Sequence, residues 1–374
     1  MLIQLAILGA LASLLPLSIV WASKDADKYR KLAWVTVFLT FDLIMFGAFT
    51  RLTDSGLGCP DWPGCYGHAN PLQAHVAISA AETAMPTGPV TVMKAWIEMI
   101  HRYLAMGVGV LVIALMVIAW MRWQKSRHLD LKFSPWLPTF LLGFICLQGA
   151  FGAWTVTMKL QPVIVTIHLL LGMGLLGLLA WLAARHSAHA PVAAKAVSLR
   201  WPALLALLVL LMQIGLGGWV STNYATLACL DFPLCHGLLI PEMDFDHGFT
   251  LWRKLGMTAD GDYLPFAALT AIHWTHRVFA FVVLISVVWV ARKALNIDGL
   301  RATGRALLIM IAVQFATGLS TIFLKFPLAL AVLHNGGAAL LLLLLVMLNY
   351  KTRIPASPTP DRPLTRPSVA RLFP

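Results

Sequence analysis

The chain has 374 residues, of which 59% are hydrophobic and only 12% charged, where ordinary soluble domains carry about a quarter charged residues. That composition excludes a water-soluble enzyme and points to a protein that crosses a bilayer many times. The formal net charge of +12 suggests a nucleic-acid partner only until the basic residues are sorted by position: segments 22–31, 121–135, 185–200, 292–305 and 351–374 carry 4, 4, 3, 4 and 5 of the 28 Lys and Arg, and that reading falls.

Runs of about 20 apolar residues suffice to cross a hydrocarbon core of roughly 30 Å. In chain order they fall near 2–21, 32–50, 94–120, 136–157, 162–184, 200–220, 267–291, 303–324 and 328–350, which predicts nine spans. Segment 2–21 ends in Trp-Ala-Ser like a cleavable signal but lacks the basic n-region of one, so a retained span is expected. All five basic segments then lie on one face, which the positive-inside rule makes cytoplasmic. The N-terminus and the long loops 51–93 and 221–266 are placed outside. Within the first loop, Pro86, Gly88 and Pro89 predict irregular surface structure.

The chain repeats itself. GAFTRLTDSGLGCPDWPGC (47–65) aligns with GGWVSTNYATLACLDFPLC (217–235), EMIHR (98–102) with HWTHR (273–277), and QGAFGAWTVTMKLQPVIVTIH (148–168) with QFATGLSTIFLKFPLALAVLH (314–334). In the last pair Gln and His stand 20 residues apart in both copies. The expected fold is an all-α polytopic membrane protein of two tandem four-helix bundles related by pseudo-two-fold symmetry, plus one extra N-terminal transmembrane helix. The expected divisions are 1–31 (extra span and linker), 32–184 (first bundle), 185–199 (linker), 200–350 (second bundle) and 351–374 (basic tail). Both units start their first span on the same face, so the repeat is parallel, about an axis along the membrane normal.

Five of the twelve histidines lie inside apolar spans: His101, His168, His273, His276 and His334. Ionisable groups in a bilayer are costly and mark functional positions. A lone histidine there is more often a satisfied structural residue, but four at repeat-equivalent places are not lone. His101 and His168 each fall roughly 10 Å below the outer surface at 1.5 Å per residue, and His276 and His334 repeat the arrangement. Each bundle can therefore point two imidazoles at each other from facing helices, as bundles do around cofactors. Imidazole nitrogen is an axial ligand of haem iron, whereas a structural zinc site would want four Cys or His ligands. Gly107, Gly109, Gly172, Gly174, Gly336 and Gly337 leave room for a macrocycle or serve helix packing.

The two halves differ at one place. Glu98 stands three residues before His101, and His273 three residues before His276, so each pair shares a helix face. Glu98 is either a proton acceptor and donor beside the His101 site or a structural carboxylate paired with an arginine. Arg102 and Arg277 follow the histidines and either meet haem propionates or snorkel to the interface. Asp42, a second intramembrane carboxylate, has no repeat partner and is left as a candidate helix contact.

Cys59/Cys65 and Cys229/Cys235 are each six residues apart in Pro-containing outer loops. In an oxidising compartment such a turn brings two sulfurs together, and a disulfide roofing each bundle is expected, structural or redox-active. Zinc would want a shorter Cys spacing, although His68 and His236 are near. Cys146, alone in a span, reads as a small packing residue.

Together the Cys59–Cys65 loop, EMIHR, TIHLLLG, IHWTHR and VLHNGGAA resemble the haem A synthase family over residues 32–350, five motifs in order. The resemblance implies oxidation of the C8 methyl group of haem O to the formyl group of haem A, by successive hydroxylations and loss of water, for cytochrome oxidase assembly. It places His101 and His168 about the substrate haem with Glu98 as the catalytic acidic residue, and His276 and His334 on a haem b cofactor. It implies a multi-pass protein of the bacterial inner membrane, with haem O as substrate, haem O synthase and terminal oxidase assembly factors as partners, and no nucleic acid. A homo-oligomer is compatible with it. The four-histidine pattern by itself equally allows a diheme b-type electron-transfer cytochrome or a haem carrier.

Overall fold

The computed structural model describes residues 1–354; the remainder of the basic tail predicted over 351–374 lies outside the described residues. All regular structure among them is helical. The long helices are α1 (Leu2–Ala22), α2 (Lys28–Leu52), α4 (Val92–Lys125), α5 (Trp136–Thr157), α6 (Pro162–Arg185), α7 (Arg200–Thr222), α9 (Phe266–Leu295), α10 (Arg301–Phe323) and α11 (Leu328–Lys351). These nine are long and apolar enough to cross a membrane, and each predicted span falls on one of them. Their outward faces are apolar: Phe38 is 63% exposed, Ile285 69% and Ile309 66%, surfaces that suit lipid and not water.

Two short helices interrupt the cysteine-bearing loops, α3 (His75–Ala84) and α8 (Phe245–Phe249). The first lies within the loop 51–93, for which the sequence suggested no helix. Residues 85–91, with Pro86, Gly88 and Pro89, are irregular as expected, because proline withholds the N–H a helix needs. Glu82 at the end of α3 accepts from the Val92 N–H (3.1 Å) at the start of α4, and Thr91 caps the same helix.

Helix neighbours close two rings. α2 packs on α4, α4 on α5, α5 on α6 and α6 on α2; α7 packs on α9, α9 on α10, α10 on α11 and α11 on α7. The rings meet through α6 on α7 and through α11 on α2 and α6. Small residues let these backbones approach, as membrane helices require: Gly336 of α11 receives Met45 and Phe41 of α2, and Gly218 of α7 receives Leu169 and Thr166 of α6. α1 lies outside the first ring against α4, where Gly9 meets Met106 and Gly107 meets Ala12.

Polar contacts sort the loops between the two ends. At one end Lys132 faces Asp27 at 4.0 Å, Arg185 donates to the Leu131 carbonyl, Arg200 to the Thr352 carbonyl and Lys351 to Thr303. At the other, Met1 lies beside Gly64 of the first cysteine loop.

Candidate haem-binding site

Both cysteine loops are closed turns. The disulfides Cys59–Cys65 and Cys229–Cys235 have Cα atoms 4.9 and 5.0 Å apart, inside the range the bond requires. Asp61 accepts from the N–H groups of Tyr66 (2.6 Å) and Gly67 (2.8 Å), and Asp231 likewise from His236 (2.9 Å) and Gly237 (2.8 Å). Gly67 and Gly237 have φ of 73° and 76°, a left-handed backbone that glycine adopts without strain. The zinc alternative ends here, since the cysteines are bonded to each other and no group of three or more His, Cys, Asp or Glu able to hold a metal ion occurs among the described residues.

These loops rest on arginines. Arg102 Nη1 faces the carbonyls of Asp61, Pro63 and Gly64 at 3.1, 3.2 and 2.6 Å, and its Nη2 donates to Glu98 Oε1 at 2.5 Å. The other Glu98 oxygen accepts from the Cys59 N–H at 2.8 Å. Glu98 is thus both beside His101 in sequence and bonded into the loop above it, so the arginine pairing expected as the alternative to chemistry is present. Arg277 repeats the clamp on the carbonyls of Cys229 (2.5 Å), Asp231 (2.8 Å) and Leu234 (3.2 Å). In place of a carboxylate it meets His273, its Nε lying 3.3 Å from the His273 Nε2. Neither guanidinium is spent on snorkelling; both hold loop carbonyls.

The four remaining intramembrane histidines are each set over a glycine of the neighbouring helix. A Cβ added at Gly47 of α2 would stand 3.0 Å from the His101 ring, at Gly152 of α5 3.1 Å from His168, at Gly217 of α7 3.0 Å from His276, and at Gly318 of α10 3.1 Å from His334. Each of the four rings is half-buried.

Of the glycines expected either to make room for a macrocycle or to serve helix packing, most pack against neighbours. Gly107 receives α1, Gly172 the amide of Gln148, Gly174 the Phe144 ring and Gly337 the Gln314 carboxamide, while Gly109 faces open space. The cradling glycines were within reach of the sequence, since Gly152 and Gly318 each stand four residues after the glutamine of the repeated motif. Cys146, expected to pack, is exposed. Asp42, left as a candidate helix contact, is exposed near the middle of α2.

A haem fits the residues present. Two imidazoles per ring of helices would offer nitrogen ligands to a haem iron, the glycines hold the backbone close without crowding those rings, and His168 Nδ1 and the Oε1 atoms of Gln148, Gln213 and Gln314 are buried without partners.

A family model described as cytochrome oxidase assembly protein matches residues 30–346. The chain belongs to that family. Among cytochrome oxidase assembly proteins it is similar to the "Heme A synthase" of Shewanella oneidensis, 40% identical over 86% of this chain and 96% of the relative. It is also similar to those of Methylobacterium radiotolerans, 31% identical over 82% and 85%, and Caulobacter sp., 28% identical over 88% and 98%. The matched region begins after α1 and takes in all four glycine-cradled histidines.

Proposed function

We propose that this chain is a haem A synthase, an enzyme that oxidises the C8 methyl group of haem O to the formyl group of haem A in the bacterial inner membrane. The observation that carries this reading is the asymmetry at one position: Glu98 one turn before His101 on α4, and His273 one turn before His276 on α9. A pair of purely electron-carrying sites has no need of that difference.

His101 and His168 hold the substrate haem in the first unit, 32–184, and His276 and His334 ligate haem b in the second, 200–350. Haem b, when bound, supplies a one-electron relay at the second site. Glu98 is the proton acceptor of the oxidation. Its two oxygens are anchored by Arg102 and the Cys59 N–H, so the carboxylate stays in place without a substrate to order it, which is the preorganisation catalysis favours. The disulfide loop covers the outer end of the ring and limits water there. Arg102 Nε is free of loop carbonyls and remains able to meet a propionate; Arg277 is assigned the same role in the second unit, where its Nε must first give up His273. The basic loops face the cytoplasm and the cysteine loops the periplasm, and haem O synthase and oxidase assembly factors deliver substrate and receive product.

The test is haem extraction from protein made in a host that supplies haem O, with the haems separated by chromatography and identified by mass. Haem A or its hydroxylated precursor beside haem b, lost in Glu98→Gln while both haems still bind, supports the reading. Haem b alone, unchanged by that substitution, overturns it in favour of a diheme electron carrier.

A further inference from the structure

Three of the four cradled histidines share a second contact that the fourth lacks. Gln148 Nε2 donates to the His168 backbone carbonyl at 3.0 Å, Gln213 Nε2 to that of His276 at 3.1 Å, and Gln314 Nε2 to that of His334 at 3.0 Å. Each glutamine stands four residues before the glycine under the same ring, Gly152, Gly217 or Gly318. One helix turn thus supplies both the cradle and the clamp. The position on α2 four residues before Gly47, which cradles His101, is Leu43, a side chain with neither donor nor acceptor.

The rings divide further by half. In the second unit the Thr317 hydroxyl lies 3.1 Å from His334 Nδ1, where it can accept that ring's N–H, whereas the amide donors Gln213 Nε2 (3.2 Å from His276 Nδ1) and Gln314 Nε2 (3.4 Å from His334 Nε2) cannot take a ring proton and act through the backbone carbonyls. In the first unit His168 Nδ1 is buried without a partner, and the residue aligned with Thr317 is Phe151. Hydrogen bonds to a ligating imidazole fix its orientation and strengthen its grip on the metal.

We propose that Gln213, Gln314 and Thr317 are positioning residues that lock the two imidazoles of the second unit for permanent haem retention, and that Leu43 leaves His101 unclamped so that the first unit can exchange its haem. This rests on the reading above, in which the first unit takes a substrate haem that must leave and the second a resident one. Release is favoured by a ligand with no clamp, and retention by ligands held at the backbone and, at His334, also at the ring. The close approach that makes the clamp possible is also built in: at Gly337 an added Cβ would collide with the Gln314 carboxamide.

The test exchanges the two arrangements in the full-length protein in detergent. Gln213→Leu and Gln314→Leu install what α2 already carries, so a folded product is expected, checked by thermal unfolding; Thr317→Val removes the hydroxyl with little change in shape. Leu43→Gln supplies the missing clamp to His101. The readouts are the electron paramagnetic resonance g-values of the ferric low-spin haems, which report the orientation of the axial rings, and the rate of haem transfer to excess apomyoglobin. In the glutamine-to-leucine variants the g-values of the retained haem should shift and its loss accelerate about 10-fold or more; in Leu43→Gln the exchangeable haem should leave about 10-fold more slowly. Folded variants with unchanged g-values and unchanged transfer rates overturn the proposal. Shifts in ring signals with Leu43→Gln acting on the retained haem instead of the exchangeable one would leave the clamps standing and overturn the assignment of the two units.

Discussion

Glu98 and Cys59, 39 residues apart in the chain, are joined by a hydrogen bond of 2.8 Å from the Cys59 N–H to the Glu98 carboxylate. The carboxylate proposed for chemistry is therefore also a fastener of the disulfide loop, and Cys59 itself is fully buried. A substitution at Glu98 changes two things at once, and its size decides which one an experiment sees.

Glu98→Ala leaves a buried amide donor and a largely buried guanidinium, 11% exposed, without their acceptor, and breaking such a pair costs about 3–5 kcal/mol. Glu98→Gln keeps one acceptor oxygen and should cost less. Thermal unfolding in detergent is expected to rank wild type above Gln and Gln above Ala, while both variants lose formyl production. Equal stabilities for Ala and wild type would remove Glu98 from the loop's support.

Arg102→Lys and Arg277→Lys should differ. A lysine ammonium cannot present the planar fork that reaches several carbonyls at once. At Arg102 the substitution also disturbs a carboxylate, whereas at Arg277 the further partner is the neutral-capable ring of His273. The Arg102 variant is expected to unfold at the lower temperature, and the Arg277 variant to lose the net worth of a few hydrogen bonds, about 1 kcal/mol each. The reverse order would argue against a buried ion pair at Glu98.

Gly217→Ala would place a methyl group 3.0 Å from the His276 ring, forcing that ring or α7 to move at about 1–3 kcal/mol. Gly109→Ala meets nothing within 4 Å and is the control. Haem content per chain, measured by the pyridine haemochrome spectrum, should fall in the first and hold in the second. The same comparison applies to Gly47 and Gly318.

Asp231 lies in the second cysteine loop, outside the spans. The N–H of Gly237, and then that of His236, hold its carboxyl below the usual carboxylate range. A depressed value in the folded chain means that its contribution is fully present above the unfolded value of about 3.9 and is lost as pH falls through the folded value. Hydrogen-exchange protection of the 236 and 237 amides should persist at about pH 5 and fail only below about pH 4, and Asp231→Ala should remove it at both. Protection lost well above that window would exclude Asp231 as the anchor.

The nine spans were legible in the sequence because a bilayer imposes a length and an apolarity that few other constraints produce. His101, His168, His276 and His334 were legible for a related reason, since imidazoles inside such spans are expensive and a repeat sets them at matching depth. The cysteine pairs could be read because their partners are six residues apart and chain geometry alone brings them together. Helix α3 was not read from the sequence, where only Pro86, Gly88 and Pro89 beyond its end were singled out.

What only the tertiary structure decided depends on contacts between distant elements. The sequence determined that Glu98 sits one turn from His101, but that its oxygens meet Cys59 and Arg102 depends on how the loop folds back onto α4. It also determined that Gln148 and Gln314 precede a histidine by 20 residues, a spacing that left their purpose open. Gln213 and His276 are 63 residues apart, and no local pattern couples them; α7 and α9 had to be packed side by side before the third clamp and its absence at Leu43 could be recognised. Periodicity and solvent preference act along the chain and are written in it, whereas a hydrogen bond between helices depends on their axial register and rotation, which the sum of all the packing sets.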